Sequence, residues 1–333
     1  MRRLLTGLTR AAGEGLFRLG LAPTLIESAT HRLRVLLYHS VGPGAGHFLK
    51  GIGDPLPTRE FERHLDHLVT HYTPVAVEDV LSGELPPRPM LITFDDGYRC
   101  LMTHAFEPLR DRGIRPIVFL VGNAVGNRSL VWTNEVAWAL NTHGPAALSV
   151  IRSSCPELTV SSTSGVVQFL WTCLAPQALT DVLNALRHSL GYDPVELAAE
   201  AELYLTWDEI CFLRENGWSF GNHTVNHYSL PTLPPEAQAN EIAAALDILG
   251  SRLGEVQTFA YPFGDHDASS REAALRSGHK LLMQVGGVNR SPLDLTRIAR
   301  VPGQGPRSPA RLFAEMEVTA PLKAWLRSSL NRA

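Results

Sequence analysis

Leu91-Ile92-Thr93-Phe94-Asp95-Asp96-Gly97 decides how the rest of the chain is read. An apolar run stops abruptly at two adjacent carboxylates and a glycine. That is the pattern of a buried strand delivering acidic side chains to the rim of a sheet or barrel. Successive residues on a strand point to opposite faces, yet where the strand becomes a turn both carboxylates can border one cavity with different tasks. Taken alone, the stretch also reads as an Asp-Gly turn after a strand, so the surrounding chain has to decide.

Outward from this stretch, strands and helices alternate. Residues 34–41 read as a first core strand, closed by Gly42-Pro43-Gly44. Thr58 is placed to cap a helix over residues 59–71, with Phe61, Leu65 and Leu68 on its apolar face. Val75 to Leu81 reads as a short strand or turn. A helix over residues 101–112, stopped by Gly113, and a strand over residues 116–121 follow the Asp-Asp strand. This rhythm predicts a parallel α/β layout.

The rhythm breaks over residues 126–204, where the pieces are helix-like (134–140, 176–190) and Ser161 to Gly165 reads as a loop. We read this region as a helical insertion beside the barrel mouth, acting as a lid or substrate platform. Thr206 and Glu209 then form a capping box, and residues 218–222 are a strand running into His223. Pro234 and Pro235 open a long helix, and residues 258–264 are a strand ending in a proline turn. The last strands fall at 281–283 and 297–301. The predicted organisation is a leading amphipathic segment (1–33), a barrel made of 34–125 and 205–305, the insertion 126–204, and a C-terminal helix (306–333).

With 333 residues, 44% hydrophobic and 19% charged, the chain has the composition of an ordinary soluble protein. A net charge of -3 gives no electrostatic case for nucleic acid. Cys100, Cys155, Cys173 and Cys211 form no CxxC pair, which suggests reduced thiols and a cytoplasmic protein. In the first 30 residues, Leu4, Leu8, Ala12, Leu16 and Leu19 fall at helical spacing. Arg10, Glu14 and Arg18 interrupt the run and argue against a signal peptide. Such a basic amphipathic helix can pack on the main domain or lie peripherally on an anionic membrane surface, here the inner face.

His223 and His227 lie four apart, a spacing that on a helical turn puts both imidazoles on one face. Two neutral imidazoles and a carboxylate make a divalent metal site with a position open for water. Two aspartates at a separate strand end allow one to complete the triad and the other to stay free as a base. The same donor set suits iron, but nothing else in the sequence suggests redox chemistry.

These residues also carry a resemblance. Thr93-Phe94-Asp95-Asp96-Gly97 and His223-Thr224-Val225-Asn226-His227 are similar to the first and second motifs of the polysaccharide deacetylase family (NodB homology domain, carbohydrate esterase family 4). Trp207-Asp208-Glu209 and Tyr261-Pro262-Phe263-Gly264 resemble it too. The resemblance covers residues 34–125 and 205–302. It implies an α/β fold, a distorted (β/α)7 barrel, with Asp95 as base and Asp96, His223 and His227 holding the metal. The metal implied is Zn2+, with Co2+ or Ni2+ as alternatives. Tyr261 and Phe263 align with the turn that supplies an oxyanion or substrate contact. Two departures need substitutes within this chain. The motif arginine that orients the base is absent at Ala260, and Arg297 is the first candidate to replace it, Arg300 the second. The late acid histidine is also missing. His39 is the first substitute, as in the exopolysaccharide deacetylase subgroup, and His266 the next. The implied activity is removal of an N-acetyl group from a sugar in a glycan, glycolipid or carrier-linked precursor. Hydrolysis of another non-peptide C–N bond and a non-catalytic sugar-binding role are the alternatives.

Overall fold

The architecture is taken from a computed structural model that describes residues 2–44, 46–305 and 308–330. Eight parallel strands form one sheet: β1 (Arg34–Tyr38), β2 (Thr73–Pro74), β3 (Pro89–Phe94), β4 (Ile117–Leu120), β5 (Ser219–Asn222), β6 (Thr258–Ala260), β7 (Leu281–Val285) and β8 (Ile298–Pro302). Because β1 pairs with both β3 and β8, seven of them close into a barrel. The two-residue β2 sits outside this ring, on the start of β3. The fold is therefore the expected α/β barrel of seven strands.

Both faces of these strands are buried, and period-two alternation assigns them. Val35, Leu91, Ile117, Phe119, Ala260, Leu281, Met283 and Ile298 fill the barrel interior. Leu36, Tyr38, Met90, Ile92, Phe94, Val118 and Leu120 pack outward against the helices. Asp95 and Arg300 share the parity of the inward residues, so the lumen ends in a carboxylate and a guanidinium rather than in more hydrocarbon.

The helical layer follows the sequence with several corrections. The helix Thr58–His71 takes Pro57, not Thr58, as its N-cap, with no side-chain cap. Val77–Ser82 is a helix rather than a strand, since Asp79 folds back to accept from the Ala76 N–H and Gly83 closes the end at φ 78°. The expected helix over 101–112 is two short ones, Cys100–His104 and Phe106–Arg110. The capping box holds: Thr206 Oγ1 accepts from the Glu209 N–H, and Glu209 accepts from the Thr206 N–H. Residues 126–204 contain the helices Trp132–His143, Pro145–Ser154, Thr163–Cys173, Pro176–Leu190 and Pro194–Ala201, the first four around their own apolar cluster.

The leading helix Arg2–Arg18 packs antiparallel to the C-terminal helical run. Gly13 faces Ala314, where a Cβ would stand 2.6 Å from the alanine methyl, and Thr9 faces Thr319. Arg10 pairs with Glu315. The buried side of this helix matches the stripe predicted from spacing only at Leu16. Leu8, Ala12 and Leu19 are exposed, Thr9, Gly13 and Phe17 face the protein with Leu16, and the Leu4 side chain lies outside the described residues.

Candidate active site

The site lies at the C-terminal ends of the barrel strands, in a cavity of about 180 Å³. Its walls include Leu37 in β1 and His39 just after it, Asp95 and Asp96 after β3, His223 and His227 after β5, and Phe263 after β6. A regular strand would send Asp96 away from Asp95. Its φ of 70° turns the chain into the left-handed region and brings both carboxylates to one cavity. Gly97 follows at φ 70°, where a Cβ would lie 2.6 Å from Leu120, so glycine is required there.

No helix joins the two histidines. His223 ends β5, and the chain turns through Thr224 (φ 65°) to His227 (φ 60°). The imidazoles meet with ring centroids 4.9 Å apart. The i,i+4 helical face expected from spacing is therefore corrected to a left-handed turn held by hydrogen bonds. Thr224 Oγ1 accepts from the His227 N–H at 3.0 Å. Glu241, from the helix Pro235–Leu253, accepts from the Asn226 backbone and side-chain N–H groups at 3.0 and 2.7 Å. Of the seven non-glycine residues with positive φ among the described residues, four (Asp96, Thr224, His227 and Phe263) lie in the site's turns. Backbone strain of this kind persists only where surrounding structure enforces it.

Asp96, His223 and His227 present one donor atom each within 4.8 Å of one another, all buried. The Asp96 Oδ1 atom lies 3.4 Å from His227 Nε2 and 3.8 Å from His223 Nε2. His223 Nδ1–H donates to the Ala260 carbonyl at 2.7 Å, which fixes the tautomer and leaves the Nε2 lone pair between the two aspartates, 3.8 Å from Asp96 Oδ1 and 3.6 Å from Asp95 Oδ2. Burial lowers His223 to about 4 and His227 to about 3, so both imidazoles are neutral at pH 7. Burial pushes the Asp96 carboxyl up, and its Oδ1 has no hydrogen-bond partner. A buried acceptor without a donor, beside two imidazole lone pairs, suits a divalent cation. Tetrahedral N and O donors at about 2.0–2.1 Å from zinc stand roughly 3.3 Å apart.

Asp95 is held differently. Arg300 grips it with both nitrogens, Nη1 to Oδ1 at 2.6 Å and Nη2 to Oδ2 at 2.9 Å. Burial alone would raise this carboxyl, but Arg300 and His223 outweigh it and leave it at about 2. Arg300 is fully buried in β8, with its guanidinium over the Phe119 ring at 5.3 Å. This corrects the choice of Arg297. That residue precedes β8, at the opposite end of the barrel from the cavity and on the opposite strand parity, and its side chain is exposed 3.9 Å from Asp294.

The remaining expected residues divide. His39 lines the cavity, with its backbone N–H donating to Gln304 Oε1 at 2.7 Å. His266 is exposed and stacks on Tyr261, away from the cavity lining. The Tyr261 ring packs with Phe259 and Leu282 outside the barrel, and its N–H is committed to the Met283 carbonyl. Phe263 does reach the cavity, at φ 59°, with its ring edge-on to His227 at 4.7 Å. The N–H groups of Gly264 and Asp265 return to Tyr261 and Pro262, which leaves that of Phe263 as the donor of the turn.

Sequence reasoning put the insertion at the barrel mouth but missed which of its residues reach the site. Trp171 stacks on Phe263 (4.4 Å, 17°) and donates its indole N–H to Asp265 Oδ2 at 2.9 Å. Trp132 donates to the His227 carbonyl at 3.0 Å. Thr133 and Val167 complete the cavity wall.

A seven-stranded parallel barrel with a buried Asp-His-His cluster at its C-terminal rim and a second aspartate clamped by arginine is the class defined by fold and site. The chain belongs to the polysaccharide deacetylase family, whose model matches residues 82–282. It is 20% identical over 257 residues to YxkH of Bacillus subtilis (strain 168), a protein whose name assigns it provisionally to the polysaccharide deacetylases; the match covers 75% of this chain and 63% of that protein. The chain thus spans under two thirds of that relative. Among solved structures, the Streptococcus pyogenes deacetylase PplD in complex with acetate superposes with a TM-score of 0.57 at 18% identity, covering 86% of this chain and 99% of that one. IcaB from Ammonifex degensii gives 0.56 at 21%, covering 86% and 98%. At these identities the likeness is one of fold.

Proposed function

We propose that this protein is a divalent-metal-dependent N-deacetylase that hydrolyses the N-acetyl group of an amino sugar in a glycan, glycolipid or carrier-linked precursor. The observation that carries this reading is the division of labour between two adjacent aspartates. Asp95 is paired with Arg300 through both oxygens, while Asp96 Oδ1 is unpartnered beside two neutral imidazoles. The family match and the likeness to a Streptococcus pyogenes deacetylase solved with acetate support the same reading.

Asp96, His223 and His227 would hold the cation, with zinc favoured and cobalt or nickel as alternatives. When bound, it would supply Lewis-acid polarisation of an amide carbonyl and a lowered pKa for water. Asp95, ionised at neutral pH, is placed to accept the proton of the attacking water, with Arg300 fixing both oxygens. The Phe263 N–H is the donor for the developing oxyanion. His39, on the β1 side of the cavity, is the acid for the departing sugar nitrogen. Leu37, Val167, Val285 and Phe263 form an apolar wall suited to an acetyl methyl group.

The test is release of acetate and of free amine from N-acetylglucosamine oligomers and lipid-linked N-acetyl sugars by the metal-loaded protein. Turnover by the parent, lost in a folded Asp95→Asn variant, supports the reading. A metal-loaded parent that binds these sugars without releasing acetate contradicts it.

A further inference from the structure

The leading helix carries apolar residues on the side turned away from the protein. Leu8, Ala11, Ala12 and Leu19 are exposed on one stripe, spaced i, i+3, i+4 and i+11, with Leu8 at 68% and Leu19 at 75% exposure. The packed side uses Thr9, Gly13, Leu16 and Phe17. A surface helix usually buries its whole apolar face, and here part of it is left outside. The helix Ala320–Leu330 continues from Ala314–Thr319, the segment packed on the leading helix, and carries Trp325, 56% exposed, and exposed Lys323.

Charge is distributed to match. Residues 1–20 carry Arg2, Arg3, Arg10 and Arg18 against Glu14, a net of +3. Residues 320–333 carry Lys323, Arg327 and Arg332 with no acid, again +3. Since the chain totals -3, everything between these ends carries -9. The two ends of the chain are thus cationic on an otherwise anionic sequence. Apolar side chains and an exposed tryptophan beside basic residues are the composition of a helix lying in a membrane interface. No helix among the described residues is long and apolar enough to cross a membrane. At 1.5 Å per residue, Leu8 and Leu19 stand roughly 16 Å apart, long enough for a contact along the helix rather than at a point.

We propose that the exposed face of the leading helix, with Leu19 just past its end and the basic helix Ala320–Leu330, docks the protein on the surface of an anionic phospholipid bilayer. None of these residues lines the cavity, so docking does not enter the chemistry; its use in reaching membrane-borne substrates rests on the proposed function.

The experiment is vesicle co-sedimentation of the full metal-loaded chain. The probes are phosphatidylcholine vesicles and the same vesicles with 30% phosphatidylglycerol, at low and high salt. The parent is expected to pellet with the anionic vesicles at least tenfold more than with neutral ones, and the excess falls with salt. Leu8→Ser/Leu19→Ser and, separately, Arg18→Glu/Lys323→Glu are each expected to cut anionic binding at least tenfold. Deacetylation of a soluble oligomer and the thermal midpoint stay unchanged, because these side chains are exposed. Equal sedimentation of parent and both variants, or no preference for anionic vesicles, overturns the proposal. So does a parent that is dimeric by analytical ultracentrifugation, fails to pellet, and becomes monomeric in Leu8→Ser/Leu19→Ser, which would assign the face to a second copy.

Discussion

The barrel rim and the helical insertion build one cavity by opposite means. At the rim, each functional side chain sits within a few residues of a strand end; strand parity aims Asp95 and Arg300 inward, and left-handed turns bring in Asp96, His227 and Phe263. The insertion contributes from helix faces far away in sequence. Trp132 fastens the His227 carbonyl, and Trp171 stacks on Phe263, whose edge meets the His227 ring. On the proposed function the rim supplies the reacting groups, whereas the insertion fixes the conformation of a turn that two left-handed residues make costly. Chemistry is local to the strand ends; rigidity is imported.

The largest effects should come from the rim. Asp96→Ala or His223→Ala should lower acetate release on the order of 10³-fold or more, as expected when a group supporting transition-state charge is lost. Arg300→Met should follow, leaving Asp95 as a buried carboxylate without its cation and costing about 3–5 kcal/mol in chemical unfolding. The pH dependence should change sign. In the parent, Asp95 sits below its ordinary value, so its stabilising contribution is complete above about pH 4 and is lost as pH falls through about 2. In Arg300→Met burial dominates and the folded value rises above the ordinary one. Ionisation then opposes folding, stability falls as pH rises through that range, and the acid limb of the activity profile moves upward.

The insertion should show a smaller and different signature. Trp132→Phe keeps the ring and removes the donor to His227. It should weaken metal affinity about 10–100-fold, as losses behind a ligand do, with the cobalt-substituted spectrum as readout. If metal affinity is unchanged while only the thermal midpoint drops, the insertion is packing and the contrast drawn above fails. Glu241→Gln, which disturbs the Asn226 clasp on the histidine turn, should cost about 1–2 kcal/mol in unfolding. Least of all, Arg297→Ala should stay within about 0.5 kcal/mol and leave turnover intact, separating it from Arg300.

Much of the rim was legible because an apolar run ending in Asp-Asp-Gly has few other readings and because strand parity is strict. The same parity would have chosen Arg300. Counting back by twos from Asp95 and by twos along Ile298 and Arg300 puts both inside, whereas Arg297 precedes the strand. The histidine spacing led to the right pair for the wrong reason: the sequence shows four residues' separation but not that Thr224 and His227 take positive φ. Helices of the insertion were visible as helices, yet Trp171 looked like any interior tryptophan, since its value lies in a partner 92 positions away. The leading helix was read as an amphipathic stripe that could face either the protein or a membrane, and spacing could not choose. Glycine and threonine took much of the packed side because they allow close approach to Ala314 and Thr319.

The most direct test is a titration of the metal-free protein with zinc, by calorimetry with metal content checked independently, in the parent, Asp95→Asn and Asp96→Asn. The account predicts one ion per chain in the parent, one ion still bound in Asp95→Asn, and binding lost in Asp96→Asn. Retention of full affinity in Asp96→Asn, or equal loss in both variants, would contradict it.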